Sequence, residues 1–575
     1  MTEFDLVIRN GSVVDGSGAP ARTADVAVAG GVIREVGAVS GHGRREVDAD
    51  GAVVAPGFVD IHTHYDGQAS WEARMQPSAW HGVTTAVMGN CGVGFAPARP
   101  ADRSRLIEVM EGVEDIPGTA LHEGLTWDWE SFPDYLDALG RRAYDIDLAA
   151  QVPHTALRVF VMRDRAVAGA QATAAEAEQM GRLAADAVRA GAVGFSTSRL
   201  SAHKSISGEH IPSYDAGAAE LLAIARAVGE TGAGVLQLVS DSPLDVNFAL
   251  MADLVRASGR PLSFTTGPAT NPVGMYLRIL ERLTEVNQAG LPITGQVPVR
   301  PIGVLLGLDN TLHPFMLNPV WQQISGLPVA EQAIRMADPQ FKAAVLAAQT
   351  QHVPPSLLGG QLIHRYDLMF ELSDPPDYEP PLETSVTSLA ERQGRTPADI
   401  VYDFLIAHQG TGMAYVVLGG YPGGTLDPTG AMLRHDYTVP GLSDGGAHVA
   451  TISDGSFPTT LLGYWTRDRR GGRLPLPFVI QRQCRDTARM SGLFDRGELA
   501  PGFKADINVI DLDRLQAHRP EMRFDLPGGG RRLVQRATGY EHTFVNGVET
   551  YAGGEPTGDL PGRLVRGQPF AVPAR

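Results

Sequence analysis

The stretch Gly57-Phe58-Val59-Asp60-Ile61-His62-Thr63-His64, which continues the apolar run Val53-Val54-Ala55-Pro56, decides how the chain is read. Residues i and i+2 of a β-strand project from one face, so the imidazoles of His62 and His64 can converge on one ion at the strand's C-terminal end. Imidazole is a common ligand for zinc and its first-row neighbours, and a barrel enzyme keeps its chemistry at the strand C-termini. An H-x-H pair standing alone is more often incidental than ligating, so the rest of the chain has to carry the assignment.

Outward from that strand, short apolar runs alternate with Ala-rich amphipathic segments, the pattern of βα units on a parallel sheet. The runs 56–62, 84–89, 147–153, 192–197, 234–239, 261–266, 291–297 and 438–443 are eight, the barrel number, and predict a TIM-like (β/α)8 barrel within an α/β chain over 56–499. The interval 298–435 is too long for one βα connection and predicts a helical insertion placed as a lid at the barrel mouth. Residues 1–55 read as short strands broken by Asn10-Gly11 and Gly30-Gly31, and matching strands recur over 500–552. Together the two ends predict a small β-sandwich. Residues 553–575, rich in Gly and Pro, read as a C-terminal arm.

At 575 residues the chain can bury a large core and is no small binding module. Lys and Arg total 48 against 65 Asp and Glu, for a net charge of −17, with no long basic run. That balance argues against nucleic acid and anionic membrane surfaces as partners. Only Cys91 and Cys484 are present, which excludes a disulfide framework and suits a reducing compartment. The first residues lack the pattern of a signal peptide, and no apolar run is long enough to span a bilayer, so a soluble cytoplasmic protein is expected. A closed homo-oligomer is the default assembly.

Two further positions bear chemistry. Gly89-Asn90-Cys91-Gly92 follows the second strand, where a thiolate could ligate a metal or act as a nucleophile; a Cys among small residues, taken alone, is more often a packed residue in a tight turn. Ser443-Asp444-Gly445-Gly446-Ala447-His448 follows the last strand. There Asp444 could ligate a metal and take a proton from water, although Ser-Asp-Gly is also common in plain turns.

Taken together, the opening strands, 57–64, Ser443-Asp444-Gly445 and the stretch from Arg496 to Asp506 resemble the amidohydrolase superfamily. Within it, Gly89-Asn90-Cys91-Gly92, Gly194-Phe195-Ser196-Thr197 and Trp127-Asp128-Trp129-Glu130-Ser131-Phe132 resemble the N-acyl-D-amino-acid deacylases, over about residues 4 to 566. The resemblance implies a metal-dependent barrel hydrolase that cuts the amide of an N-acyl amino acid, with metal-bound hydroxide as attacking group. It carries His62 and His64 over as first-strand ligands, Cys91 as a bridging thiolate, and Asp444 as ligand and general base. It also implies histidines at the ends of the fifth and sixth strands. Here Gln237 stands about where the first should be and Thr265 and Thr266 where the second should be, so one zinc, or another divalent ion, is expected rather than two.

The family's basic residue after the sixth strand also lacks an evident counterpart. Arg199 and Lys204, in the loop after the fourth strand, could hold an anionic substrate group, as could Arg300 after the seventh; Gln237 and His448 are further candidates at the mouth. A solvated loop is the commoner fate of such residues. His154 ends the third strand near the same mouth. Leu305, Leu306, Leu308, Leu312, Phe315, Met316 and Trp321 could line an acyl pocket but fit ordinary core better. Cys484, on a helix predicted from Pro477 to Ser491, reads as a packed hydrophobe. Two other functions remain open at this stage: a cyclic-amide hydrolase of the hydantoinase or dihydroorotase type, whose fourth-strand lysine is missing here, and a barrel that only binds.

Overall fold

The structure, a computed structural model, describes residues 3–568 except 269–273, 351, 355, 356 and 358; the last residues of the expected arm, 569–575, lie outside the described residues. Eight parallel strands form one sheet in sequential order: Phe58–Asp60, Val83–Met88, Asp147–Pro153, Gly194–Arg199, Val235–Ser240, Leu262–Thr265, Ile293–Val297 and Thr438–Pro440. Each falls on one of the predicted runs. Val83–Met88 and Asp147–Pro153 are buried throughout, as strands covered on both faces must be. The sheet curls until its first and last members meet: Thr63 bridges Gly445, His64 N donates to Gly445 O at 2.8 Å and Asp444 N to His62 O at 3.1 Å. His62, His64 and Asp444 thus lie on the seam that closes the mouth.

Amphipathic helices cover the outside. Ala174–Arg189 is typical: Thr173 and Glu176 form a capping box, and Met180, Ala184, Ala187 and Val188 turn inward. Beneath the barrel, Arg496 Nη1 donates to Thr85 Oγ1 at 2.8 Å and to Asp147 Oδ2 at 2.7 Å, and Lys504 pairs with the same carboxylate. This buried network ties two barrel strands to the segment leading into the second sheet.

That second sheet has nine strands and makes the β-sandwich from both chain ends. Val53–Pro56 pairs antiparallel with Ile507–Ile510, Val54 opposite Val509, around a core that includes Leu6, Val26, Ile33, Ile507 and Phe544. The arm runs back along the third barrel strand through bridges from Tyr144 to Gly562 and from Leu148 to Leu564.

The insertion is more than helical. Besides helices such as Pro339–Ala347 and Pro397–Ile406 it contains an antiparallel sheet of Ile302–Gly307, Met413–Gly419 and Met369–Glu371, with Met413–Gly419 in the centre. Ile302–Gly307 is a short apolar run, which periodicity cannot separate from buried helix. Leu306, Leu308, Leu312, Phe315 and Trp321 belong to the insertion's own core, with Met316 packed at its edge, and Leu305 joins the main core. A hairpin of Glu521–Leu526 and Gly530–Val534 also reaches the mouth, where Leu533 N donates to Val449 O.

Candidate metal centre

His62, His64 and Cys91 are buried and bring one donor atom each within 4.8 Å of one another. His62 Nε2 lies 3.3 Å from Cys91 Sγ. Asp444 Oδ1 stands 3.5 Å from His62 Nε2 and 3.7 Å from His64 Nε2, and this oxygen is buried with no hydrogen-bond partner of its own. Four donors from three separated loops therefore face one interior point.

The surrounding residues orient each of them. Gln296, on the seventh strand, donates from Nε2 to Ser263 Oγ at 2.9 Å, which leaves Oε1 facing His62 Nδ1 at 2.7 Å. Nδ1 then carries the proton and the Nε2 lone pair points into the cluster. Glu114 Oε1 lies 3.2 Å from His64 Nδ1, a carboxylate against the far side of that ring. Cys91 sits in a turn with φ of 54° between Gly89 and Gly92, both also at positive φ. A Cβ on Gly89 would lie 2.2 Å from Gln151 O, and one on Gly92 2.9 Å from Thr197 Cα, so the turn needs both glycines. Asp66 accepts from Gly89 N at 3.1 Å, Gln237 Oε1 from Cys91 N at 3.2 Å and Ser196 Oγ from Gly92 N at 3.0 Å.

The charges fit a cation. Burial pushes His62 down to about 4, so it is neutral and free to ligate at pH 7. Burial opposes a charge on His64 as well, but Glu114 and Asp444 outweigh it and draw that imidazole above its ordinary value. At Asp444 burial is likewise overcome, by the facing His64 imidazole and the charges of His62 and His448, and the carboxyl stays well below the usual range. Burial lifts the Cys91 thiol to about 11, a value that a bound cation would reverse. One carboxylate, two imidazoles and a thiol form a donor set suited to a zinc-like ion.

The other expected residues are placed as follows. His448 reaches the cluster's edge, 3.6 Å from Glu114 Oε2. Gln237 is 1 % exposed at the mouth. Arg199, expected in the loop after the fourth strand, is instead that strand's last residue, and Lys204 lies in the loop; both are half-buried, and Arg199 Nε has no hydrogen-bond partner. Arg300 is not brought to the cluster: it is fully buried, donates to Ser453 O at 2.8 Å and Asp454 Oδ1 at 2.9 Å, and its guanidinium lies over the Tyr378 ring. An Arg two residues past a proline after a strand gives no sign of which layer it will enter. His154 is held in a buried outer layer by Thr197 and Glu220, at 2.8 and 2.7 Å. Cys484 is packed at 0 % exposure on a helical run from Leu476 to Met490.

Sequence reasoning missed Glu114 and Gln296. Gln296 left a trace, a polar residue within the otherwise small and apolar Ile293–Val297; Glu114 ends a helix in an acidic run and left none. His203 reaches the site as well: its Nδ1 lies 2.9 Å from Ser198 Oγ, and burial, then the charges of His448 and His64, push it down to about 3.

The model of the amidohydrolase family matches residues 45–551. The chain belongs to the amidohydrolase family. It is 28% identical over 571 residues to the D-aminoacylase of Alcaligenes xylosoxydans xylosoxydans, covering 98% of this chain and 97% of the relative. To the N-acyl-D-glutamate deacylase of the same organism it is 29% identical over 577 residues, with 98% and 97% covered. The crystal structure of N-acyl-D-glutamate deacylase from Bordetella bronchiseptica, complexed with zinc and a phosphonate mimic of the tetrahedral intermediate, shares the fold at a TM-score of 0.66 and 23% identity, covering 98% of this chain and 100% of that one. In this amidohydrolase His62, His64 and Cys91 form a cluster that could hold a metal ion, consistent with hydrolysis of an amide C–N bond, and the chain is an enzyme.

Proposed function

We propose that the chain hydrolyses the amide bond of N-acyl-D-amino acids, with one zinc ion held by His62, His64, Cys91 and Asp444. The observation that carries this reading is the convergence of those four donors at the barrel mouth, together with full-length similarity to two N-acyl-D-amino-acid deacylases. Zinc bound there would supply a Lewis acid that activates water and polarises the amide carbonyl. Asp444, ionised at neutral pH, accepts the proton of the attacking water and returns it to the leaving amine nitrogen. Arg199 and Lys204 stand where they can bind the substrate's carboxylate. Gln237 keeps its oxygen on the Cys91 N–H and Thr265 offers only a hydroxyl, which favours one ion over two. Ser196 and Ser198, the polar residues of the fourth strand near Cys91 and His203, provide no lysine for the cyclic-amide reading.

Elemental analysis of the purified protein beside His62→Ala, followed by a screen of N-acyl-D- and N-acyl-L-amino acids, tests the reading. One zinc per chain, absent from the variant, with release of a D-amino acid is the expected result. Two ions per chain, or turnover confined to L-substrates or cyclic amides, would overturn it.

A further inference from the structure

Two buried hydrogen-bond donors at the mouth have no partner. Gln237 and Ser263 are register partners on the fifth and sixth strands, and Thr265, two residues beyond Ser263, is the register partner of Gln296. Period-2 alternation therefore places Gln237, Ser263, Thr265 and Gln296 on one face of the sheet. It is the face toward the metal site, because Gln296 holds His62 and Gln237 holds the backbone of Cys91. The Gln237 carboxamide is fixed: its oxygen accepts from Cys91 N at 3.2 Å, and its Nε2 is buried without an acceptor. Thr265 Oγ1 is also buried and unpartnered. Native proteins rarely leave two such groups unpaired on one buried face unless something occupies the space they face.

We propose that Gln237 Nε2 and Thr265 Oγ1 form the donor pocket for the oxyanion of the tetrahedral intermediate, an assignment that rests on the amide-hydrolysis reading. Water oxygen adds to the carbonyl carbon, the C=O π pair moves onto the carbonyl oxygen, and the released proton goes to Asp444. The oxyanion then takes hydrogen bonds from the Gln237 amide and the Thr265 hydroxyl, donors already in place and already stripped of water. As the pair returns to re-form C=O, the C–N bond breaks and Asp444 delivers its proton to the amine. The alternative, Gln237 as a metal ligand through its oxygen, would leave the buried Cys91 N–H unpaired.

The test uses zinc-loaded wild type, Gln237→Met and the near-isosteric Thr265→Val, with methylphosphonate as a small tetrahedral anion titrated by calorimetry. Thr265→Val is expected to keep wild-type zinc content and melting temperature, and Gln237→Met, which also strips the Cys91 N–H of its acceptor, to melt lower, while both bind methylphosphonate about tenfold to a hundredfold more weakly. On any amide the wild type cleaves, kcat should fall about 10²- to 10³-fold with KM less affected. Unchanged methylphosphonate affinity in both variants overturns the donor pocket. Should Gln237→Met fail to fold, Thr265→Val decides alone. Weakened phosphonate binding alongside a wild type that cleaves no N-acyl-D-amino acid would leave the pocket standing and remove the substrate assignment.

Discussion

Glu114 shows how much of a metal site lies one layer behind its ligands. It is 1 % exposed and lies between His64 and His448, against the ring that Asp444 faces from the front. Glu114→Gln should keep the fold and lower zinc affinity by about 10- to 100-fold, read by competition with a chromophoric chelator. His62→Ala should lose the ion altogether. The ligands themselves were legible because imidazole, thiolate and carboxylate at strand ends are chemically distinctive. Their supports were not. Glu114 lies in Glu111-Gly112-Val113-Glu114-Asp115, a run that reads as a solvated helix end, and only the approach of the Asp444 loop buries it. Arg300 carried the opposite signal, a cation near the mouth that the fold turns into an internal partner of Asp454.

Among elements, the turn at Cys91 is the most constrained. Gly92→Ala adds a Cβ about as close as backbone permits to Thr197, at a φ of +67°, so it should displace Cys91 and reduce zinc content while the barrel persists; metal analysis and far-UV circular dichroism separate the two effects. At the opposite end, Asp147→Ala would leave Arg496 and Lys504 buried beside Asp506 without their shared acceptor. Loss of one member of such a network costs about 3–5 kcal/mol, measurable by urea unfolding. All eight barrel strands were visible in the sequence because burial on both faces makes them continuous apolar runs between turn residues. The sheet within 298–435 was not, since both Ile302–Gly307 and Met369–Glu371 pair with Met413–Gly419, far along the chain, and nothing local marks the pairing.

At the scale of the whole molecule, the layers are held together by buried polar contacts that respond to pH. His81, just before the second barrel strand, bonds Thr459 Oγ1 at 2.7 Å and Gln535 O at 2.9 Å, joining the barrel to an outer helix and to the C-terminal segment. Burial pushes it down to about 3. Its folded value lies below the ordinary 6.5, so the unfolded chain binds the extra proton. The stability linked to His81 is therefore complete above about pH 6.5 and is lost as pH falls toward 3. The destabilisation caused by His81→Asn should accordingly shrink by about 2 kcal/mol between pH 7 and pH 5, read from unfolding curves at both. Among the described residues no helix is long and apolar enough to cross a membrane.

The pairing of Val53–Pro56 with Ile507–Ile510 has a consequence for how the protein is made. These strands are separated by almost the entire catalytic barrel, so during synthesis the earlier one leaves the ribosome long before its partner exists. Until then the N-terminal strands present a bare apolar edge, which invites pairing with another nascent chain. A message truncated just before codon 507 would encode every zinc ligand and still yield a chain that cannot close its first sheet. Quality control in the cell would meet this enzyme as an aggregation problem before it met it as a loss of activity.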